Sequence, residues 1–202
     1  MKKIPGILML LVFLLFMEAK AQKILEPEEL MRMPVYKSIE AALAANPDSV
    51  FRISLRGKKL KHIPAEIYQF KNLQWLDLSR NKITTLNDSI GLLLSLTDLN
   101  LGYNQLKTLP AAIGNLKHLS VLKLHKNLIT HLPKEMGNLR YLESLEMWDN
   151  EIDVFPEEMR ECRLLRKLDL RGILMSDEKQ HAIQALFPNT KIYFSASCAC
   201  KE

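Results

Sequence analysis

The chain has 202 residues, 48% of them apolar and 25% charged, a balance that excludes wholesale disorder and allows one globular unit or at most two small ones. Its 28 basic and 23 acidic residues leave a net charge of +5, more even than a nucleic-acid module of this size would carry. Three cysteines are too few for a disulfide-dense scaffold, so a hydrophobic core must hold the fold together.

The chain opens with Lys2 and Lys3, followed by an unbroken apolar run from Ile7 to Met17. Ala19-Lys20-Ala21 then supplies a small-x-small cleavage signal, so residues 1–21 read as a signal peptide with Gln22 as the first mature residue. The run is too short to span a bilayer, which takes about 20 apolar residues as a helix. No later segment is longer and comparably apolar. The expectation is an exported protein, secreted or periplasmic, with no transmembrane segment after cleavage. The short Lys-Lys start leans toward a bacterial source.

Residues 22–49 read as an N-terminal segment with a capping helix. Tyr36 to Ala45 has helical character, with Ile39, Ala42 and Leu43 on one face, and Asn46-Pro47-Asp48 stops it. Residues 22–33 and the tail 195–202 are expected to be loose.

From Val50 to Met175 the chain repeats. Asn81, Asn104, Asn127 and Asn150 are spaced 23 residues apart in one frame: LQWLDLSRNKI from Leu73, LTDLNLGYNQL from Leu96, LSVLKLHKNLI from Leu119 and LESLEMWDNEI from Leu142. A degenerate unit precedes them (VFRISLRGKKL from Val50) and another follows (LRKLDLRGILM from Leu165), giving about six units over residues 50–175. Most units continue with an apolar residue and proline, as at Ile63-Pro64, Leu109-Pro110, Leu132-Pro133 and Phe155-Pro156. This pattern resembles the leucine-rich repeat, L-x-x-L-x-L-x-x-N-x-L-x-x-L-P-x-x-I-x-x-L. It is similar to the 23-residue class of Ras-suppressor-like, plant-resistance-like and bacterial secreted proteins. The resemblance implies an α/β solenoid, a curved horseshoe with a parallel concave sheet; it does not by itself imply a partner.

The residues support that expectation on physical grounds. In L-x-x-L-x-L the last two leucines share one side of a short strand, because side chains alternate. One unit cannot bury them alone, whereas stacked units can. The asparagine turns inward where the strand ends, and its amide both donates and accepts, so Asn81, Asn104, Asn127 and Asn150 are expected to form a structural ladder. Behind them, Ile67, Ile90, Ile113, Met136 and Met159 form one column, and Phe70, Leu93, Leu116, Leu139 and Cys162 another. Cys162 therefore reads as a buried small hydrophobe. Gly91, Gly114 and Gly137 are expected at tight bends.

The last segment, residues 176–194, reads as a C-terminal cap. Ser176 begins a helix running to about Leu186, and Lys191–Phe194 forms a final strand.

Function is expected on the exposed strand positions. The inner column runs Ser54, Asp77, Asn100, Lys123, Glu146 and Asp169, flanked by columns that hold Trp75, Trp148, His125 and Arg52, and by the strand exits Arg80, Tyr103, Lys126 and Asp149. Interspersed signs favour a protein partner over a phosphate backbone. Both tryptophans of the chain lie here, and such aromatics anchor binding hot spots. The expected partner-binding set is Trp75, Arg80, Tyr103, Lys123, His125, Lys126, Glu146 and Trp148, with Lys123 paired to Glu146 and His125 about 5 Å from Trp148 across neighbouring strands.

No catalytic constellation, phosphate loop or metal-ligand spacing stands out among the five histidines. No enzyme activity, cofactor, metal or nucleic-acid partner is therefore expected, and the protein should be a monomeric binding module with a protein ligand of unknown identity. The alternative is a structural or envelope-associated protein linked through Cys198 and Cys200.

Overall fold

The computed structural model describes residues 24–152 and 154–195. The chain coils into a solenoid whose strands build one parallel sheet in sequence order: β1 (Val35–Tyr36), β2 (Arg52–Ser54), β3 (Trp75–Asp77), β4 (Asp98–Asn100), β5 (Val121–Lys123), β6 (Ser144–Glu146), β7 (Lys167–Leu170) and β8 (Lys191–Phe194). Among the described residues three α-helices accompany them: α1 (Pro27–Arg32), α2 (Ile39–Leu43) and α3 (Asp177–Leu186). From β2 to β7 the elements between the strands are single 3-10 turns on the opposite side.

The register follows from the leucines. Ile53, Leu76, Leu99, Leu122, Leu145 and Leu168 stand opposite one another along the sheet and are essentially fully buried. A second buried row, Leu78, Leu101, Leu124, Met147 and Leu170, lies two residues later, as strand alternation requires. The 3-10 turns supply the other wall of the core through Ile67, Ile90, Ile113, Met136 and Met159.

The asparagines close the gap between the walls. Asn127 donates from Nδ2 to the carbonyls of Leu101 (3.0 Å) and Leu124 (2.8 Å), and its Oδ1 accepts from the Leu106 amide (3.0 Å). Asn81, Asn104 and Asn150 repeat this arrangement. Each side chain thus satisfies backbone groups of its own unit and the one before it, which a buried polar position requires.

The residue just before each asparagine is left-handed: Arg80 (φ 57°), Tyr103 (57°), Lys126 (53°) and Asp149 (54°). That conformation costs a side-chain-bearing residue about 1–2 kcal/mol. In return, its amide donates to a carbonyl of the next unit, as from Tyr103 to His125 (2.8 Å) and from Lys126 to Trp148 (2.9 Å). Gly57 and Gly172 fill the same slot in the degenerate units, at φ 69° and 77°, without that cost.

Several local expectations change. Gly91, Gly114 and Gly137 lie inside 3-10 turns and permit close stacking of successive turns, in place of the expected bends. A Cβ on Gly114 would stand 2.5 Å from the Glu135 carbonyl oxygen. Tyr36 belongs to a strand, and the expected helix shrinks to Ile39–Leu43, with Ser38 Oγ accepting from the Ala41 amide. Leu43 faces outward at 45% exposure, leaving Ala42 and Ile39 toward the core. Residues 24–33 are tied down where a loose segment was expected: Leu25 is buried, its amide donates to Gln74 Oε1 (3.0 Å), and Arg52 Nη1 donates to the carbonyls of Met31 and Met33. At the other end, Ser176 caps α3, and β8 pairs with β7, with Ile192 opposite Leu168.

Candidate functional site

Strand alternation puts Gly102, His125 and Trp148 in one column, immediately after β4, β5 and β6. The His125 imidazole lies flat on the Trp148 indole, with ring centroids 4.6 Å apart and planes 5° apart. Tyr103 leaves its strand in the left-handed conformation and reaches across the column edge-on. Its ring is 5.4 Å from His125 and 6.0 Å from Trp148, nearly perpendicular to both. Stacked and edge-to-face pairs are the favoured aromatic geometries, so the three rings form one half-exposed cluster.

Charge surrounds the rings. Arg80 lies over the Tyr103 face at 4.5 Å, and Lys126 Nζ stands 5.7 Å from Tyr103 and 5.4 Å from Trp148. Lys126 also pairs with Asp149 at 2.9 Å, and this hydrogen bond and charge hold its ammonium above the usual pKa. Glu146 pairs with Lys167 at 3.1 Å and approaches His125 Nδ1 at 3.7 Å. That distance is too long for a hydrogen bond, and Nδ1 is buried with no partner. Burial lowers the His125 pKa below its ordinary value, against the opposing pull of Glu146.

The structure therefore brings Arg80, Tyr103, His125, Lys126, Glu146 and Trp148 together, but leaves two expected members apart. Lys123 does not pair with Glu146, although they are opposite in register; the Glu146 carboxylate turns instead to Lys167 on β7. Trp75 lies near the N-terminal segment, under the Arg52 guanidinium at 5.1 Å. Three positions expected on the open face are buried: Arg52, Asp77 and Asp169. Arg52 lies against the carbonyls at the end of α1, and Asp77 turns back to accept from the Ser79 amide (2.9 Å). Asp169 is clamped by Arg171 Nη2 (2.7 Å) and Nε (2.9 Å). Burial alone would raise its pKa, but these hydrogen bonds hold it low. Lys167 and Asp149, absent from the expected set, complete the polar rim; Asp149 follows Lys126 in the strand-exit column, whereas Lys167 stands opposite Ser144 and reaches Glu146 diagonally.

Cys162 lies in the core at 4% exposure, and its thiol donates to the Met136 carbonyl at 3.3 Å. Burial pushes its pKa up to about 11. Among the described residues no group of three or more His, Cys, Asp or Glu is arranged to hold a metal, and no helix is long and apolar enough to cross a membrane. The signal peptide, Cys198 and Cys200 lie outside the described residues.

A leucine-rich repeat family model matches residues 49–106, 71–129, 96–152 and 117–172. The chain belongs to the leucine-rich repeat family. Among solved structures, this repeat protein is similar to a leucine-rich repeat protein of Leptospira interrogans, at 29% identity and a TM-score of 0.65, over 82% of this chain and 49% of that one. It is also similar to the ectodomain of the plant membrane receptor kinase GASSHO1/SCHENGEN3 from Arabidopsis thaliana, solved in complex with Casparian strip integrity factor 2, at 27% identity and a TM-score of 0.62, over 80% of this chain and 20% of that one. An internalin from Listeria monocytogenes shares the fold at 20% identity and a TM-score of 0.63, over 74% of this chain and 43% of that one. The chain thus spans about half the length of the Leptospira protein and a fifth of the plant ectodomain. Among curated proteins, no match to the sequence is found.

Proposed function

We propose that this leucine-rich repeat protein is an exported, non-enzymatic module that binds another protein through its open sheet face. The observation that carries the reading is the half-exposed ring cluster of Tyr103, His125 and Trp148 with its cationic rim of Arg80 and Lys126. Large aromatics beside arginine are the residues that dominate binding hot spots. These three already stack on one another, so little side-chain freedom is left to lose on association. The similar plant ectodomain was solved in complex with Casparian strip integrity factor 2, which fits the same use of the fold. Export, to the periplasm or the medium, rests on the charged start and apolar run of residues 1–21, and a bacterial source fits the similarity to the Leptospira protein.

The test is a comparison of captured partners. Wild-type protein and Trp148→Ala are used as bait in an envelope extract, with Lys134→Ala on the far side of the solenoid as control. Trp148→Ala should lose the captured protein, at about tenfold weaker affinity or worse, while Lys134→Ala retains it. The Trp148 change should lower stability only by the stacking contribution, on the order of 0.5–1.5 kcal/mol. Capture that survives Trp148→Ala unchanged would remove the cluster from the interface.

A further inference from the structure

A second recess lies apart from the ring cluster, where the N-terminal segment crosses the beginnings of β3–β6. Leu25 and Leu30 of this segment are buried, and Trp75 lines the recess. The recess encloses about 500 Å³, within the range of small-ligand clefts, about 300–1,000 Å³. Its far rim is an aromatic pair, His118 stacked on Tyr141 at 6.1 Å, with Tyr141 57% exposed.

Its charge is one-sided. Among the described residues that line it, Glu26, Asp98 and Glu143 are charged and no lysine or arginine is, although the Arg52 guanidinium lies 5.1 Å over the Trp75 ring. Asp98 heads β4, where alternation turns it away from the core, and it is only partly exposed. Among the described residues no hydrogen bond or ion pair reaches its carboxylate, although Lys123 and Arg52 lie close enough to act on it through space. Burial raises its pKa, so the carboxylate is poorly hydrated where it stands. A carboxylate that lines a cleft together with the rings of Trp75, His118 and Tyr141 suits a guanidinium. That group is planar, stacks on rings and hydrogen-bonds a carboxylate with two donors at once. The apolar walls from Leu25 and Trp75 suit the aliphatic stem of such a side chain and its apolar neighbours.

We infer that this cleft is a docking site for an extended peptide of a partner protein, with an arginine side chain seated on Asp98 between Trp75 and the Tyr141–His118 pair. It is separate from the Trp148 cluster and stands or falls independently of it.

The chain has two tryptophans, which makes a direct readout available. In full-length Trp148→Phe protein, Trp75 is the sole indole and reports on the cleft. Titration with acetyl-Leu-Arg-Leu-amide should give a saturable change in its emission, and acetyl-Leu-Glu-Leu-amide should give none. Asp98→Asn in the same background should weaken the arginine peptide about tenfold, the loss of one charge-assisted contact. Tyr141→Ala, an exposed position whose truncation leaves the core intact, should weaken it measurably as well. Equal responses to the two peptides, or an arginine response unchanged by both substitutions, would overturn the proposal. The Trp148 capture experiment reads the other site, so the two results are distinguishable.

Discussion

Gly102 makes the room that the His125 ring occupies: a Cβ at position 102 would stand 2.6 Å from His125 Cε1. The same column carries Ser79 one unit earlier and Trp148 one unit later. The missing side chain at Gly102 thus lets His125 lie back over the sheet, parallel to Trp148. The glycine in one repeat and the histidine in the next are a single packing unit.

Gly102→Ala should therefore act on the cluster more than on the fold. The atom in the way is the end of a side chain, which can rotate toward solvent at a cost below about 1 kcal/mol. His125 would leave Trp148, changing the near-ultraviolet circular dichroism and the tryptophan emission. Gly114→Ala meets the Glu135 carbonyl oxygen instead. Backbone cannot step aside as readily, so the loss there should be about 1–3 kcal/mol. Urea unfolding of both variants decides the matter: equal losses would mean that His125 is held as firmly as backbone.

Asn127→Ala should cost about 1–3 kcal/mol, because it strands the Leu106 amide and two carbonyls in the dry interior. Asn100→Ala should cost less. Its half-exposed side chain accepts one bond, from the Gly102 amide at 3.0 Å, and water can replace it. Chemical denaturation measures both, and comparable losses would contradict the ladder's role in the core.

The repeat made the interior legible in the sequence. A period of 23 residues assigns every apolar position to a column, so the buried leucines, the inward asparagines and the slot of Cys162 follow from spacing alone. The face was less legible, because its side chains answer to neighbours in other units. Asp77 is buried by turning back to the Ser79 amide, and Arg52 is covered by α1, a segment read from the sequence as loose. Tyr103 was placed in its column correctly, but its reach across to Trp148 depends on a left-handed backbone that the pattern x-N does not announce. Lys123 and Glu146 show the limit of register: adjacency across strands holds, yet the carboxylate chooses Lys167.

Cys162 should resist thiol reagents in the native protein. It is 4% exposed and its pKa is about 11, so at pH 8 nearly all of it is the unreactive thiol. Labelling in native buffer should be slower than in urea by orders of magnitude, with the site identified by peptide mass mapping. Rapid native modification at Cys162 would take it out of the Leu139 column.

Acidification should destabilise the protein in part through His125. The imidazole side chain is only 12% exposed, and burial, the largest influence, lowers its pKa from 6.5; Glu146 and Asp169 pull upward, while Lys123 and Lys126 add to the lowering. With the folded pKa below the unfolded one, the ring is neutral in both states well above pH 6.5, and its full contribution is present there. As the pH falls through that value, the unfolded chain binds the proton first, so stability declines until the folded pKa is passed. The slope from this one group is at most about 1.4 kcal/mol per pH unit. His125→Phe keeps a flat ring against Trp148 without the titration. The urea midpoint of wild type should therefore fall relative to that of His125→Phe between pH 7.5 and about 5.5, because the other histidines titrate alike in both proteins. If wild type instead gained stability relative to His125→Phe on acidification, the Glu146 carboxylate at 3.7 Å would be outweighing burial, and the site would hold a charged imidazolium.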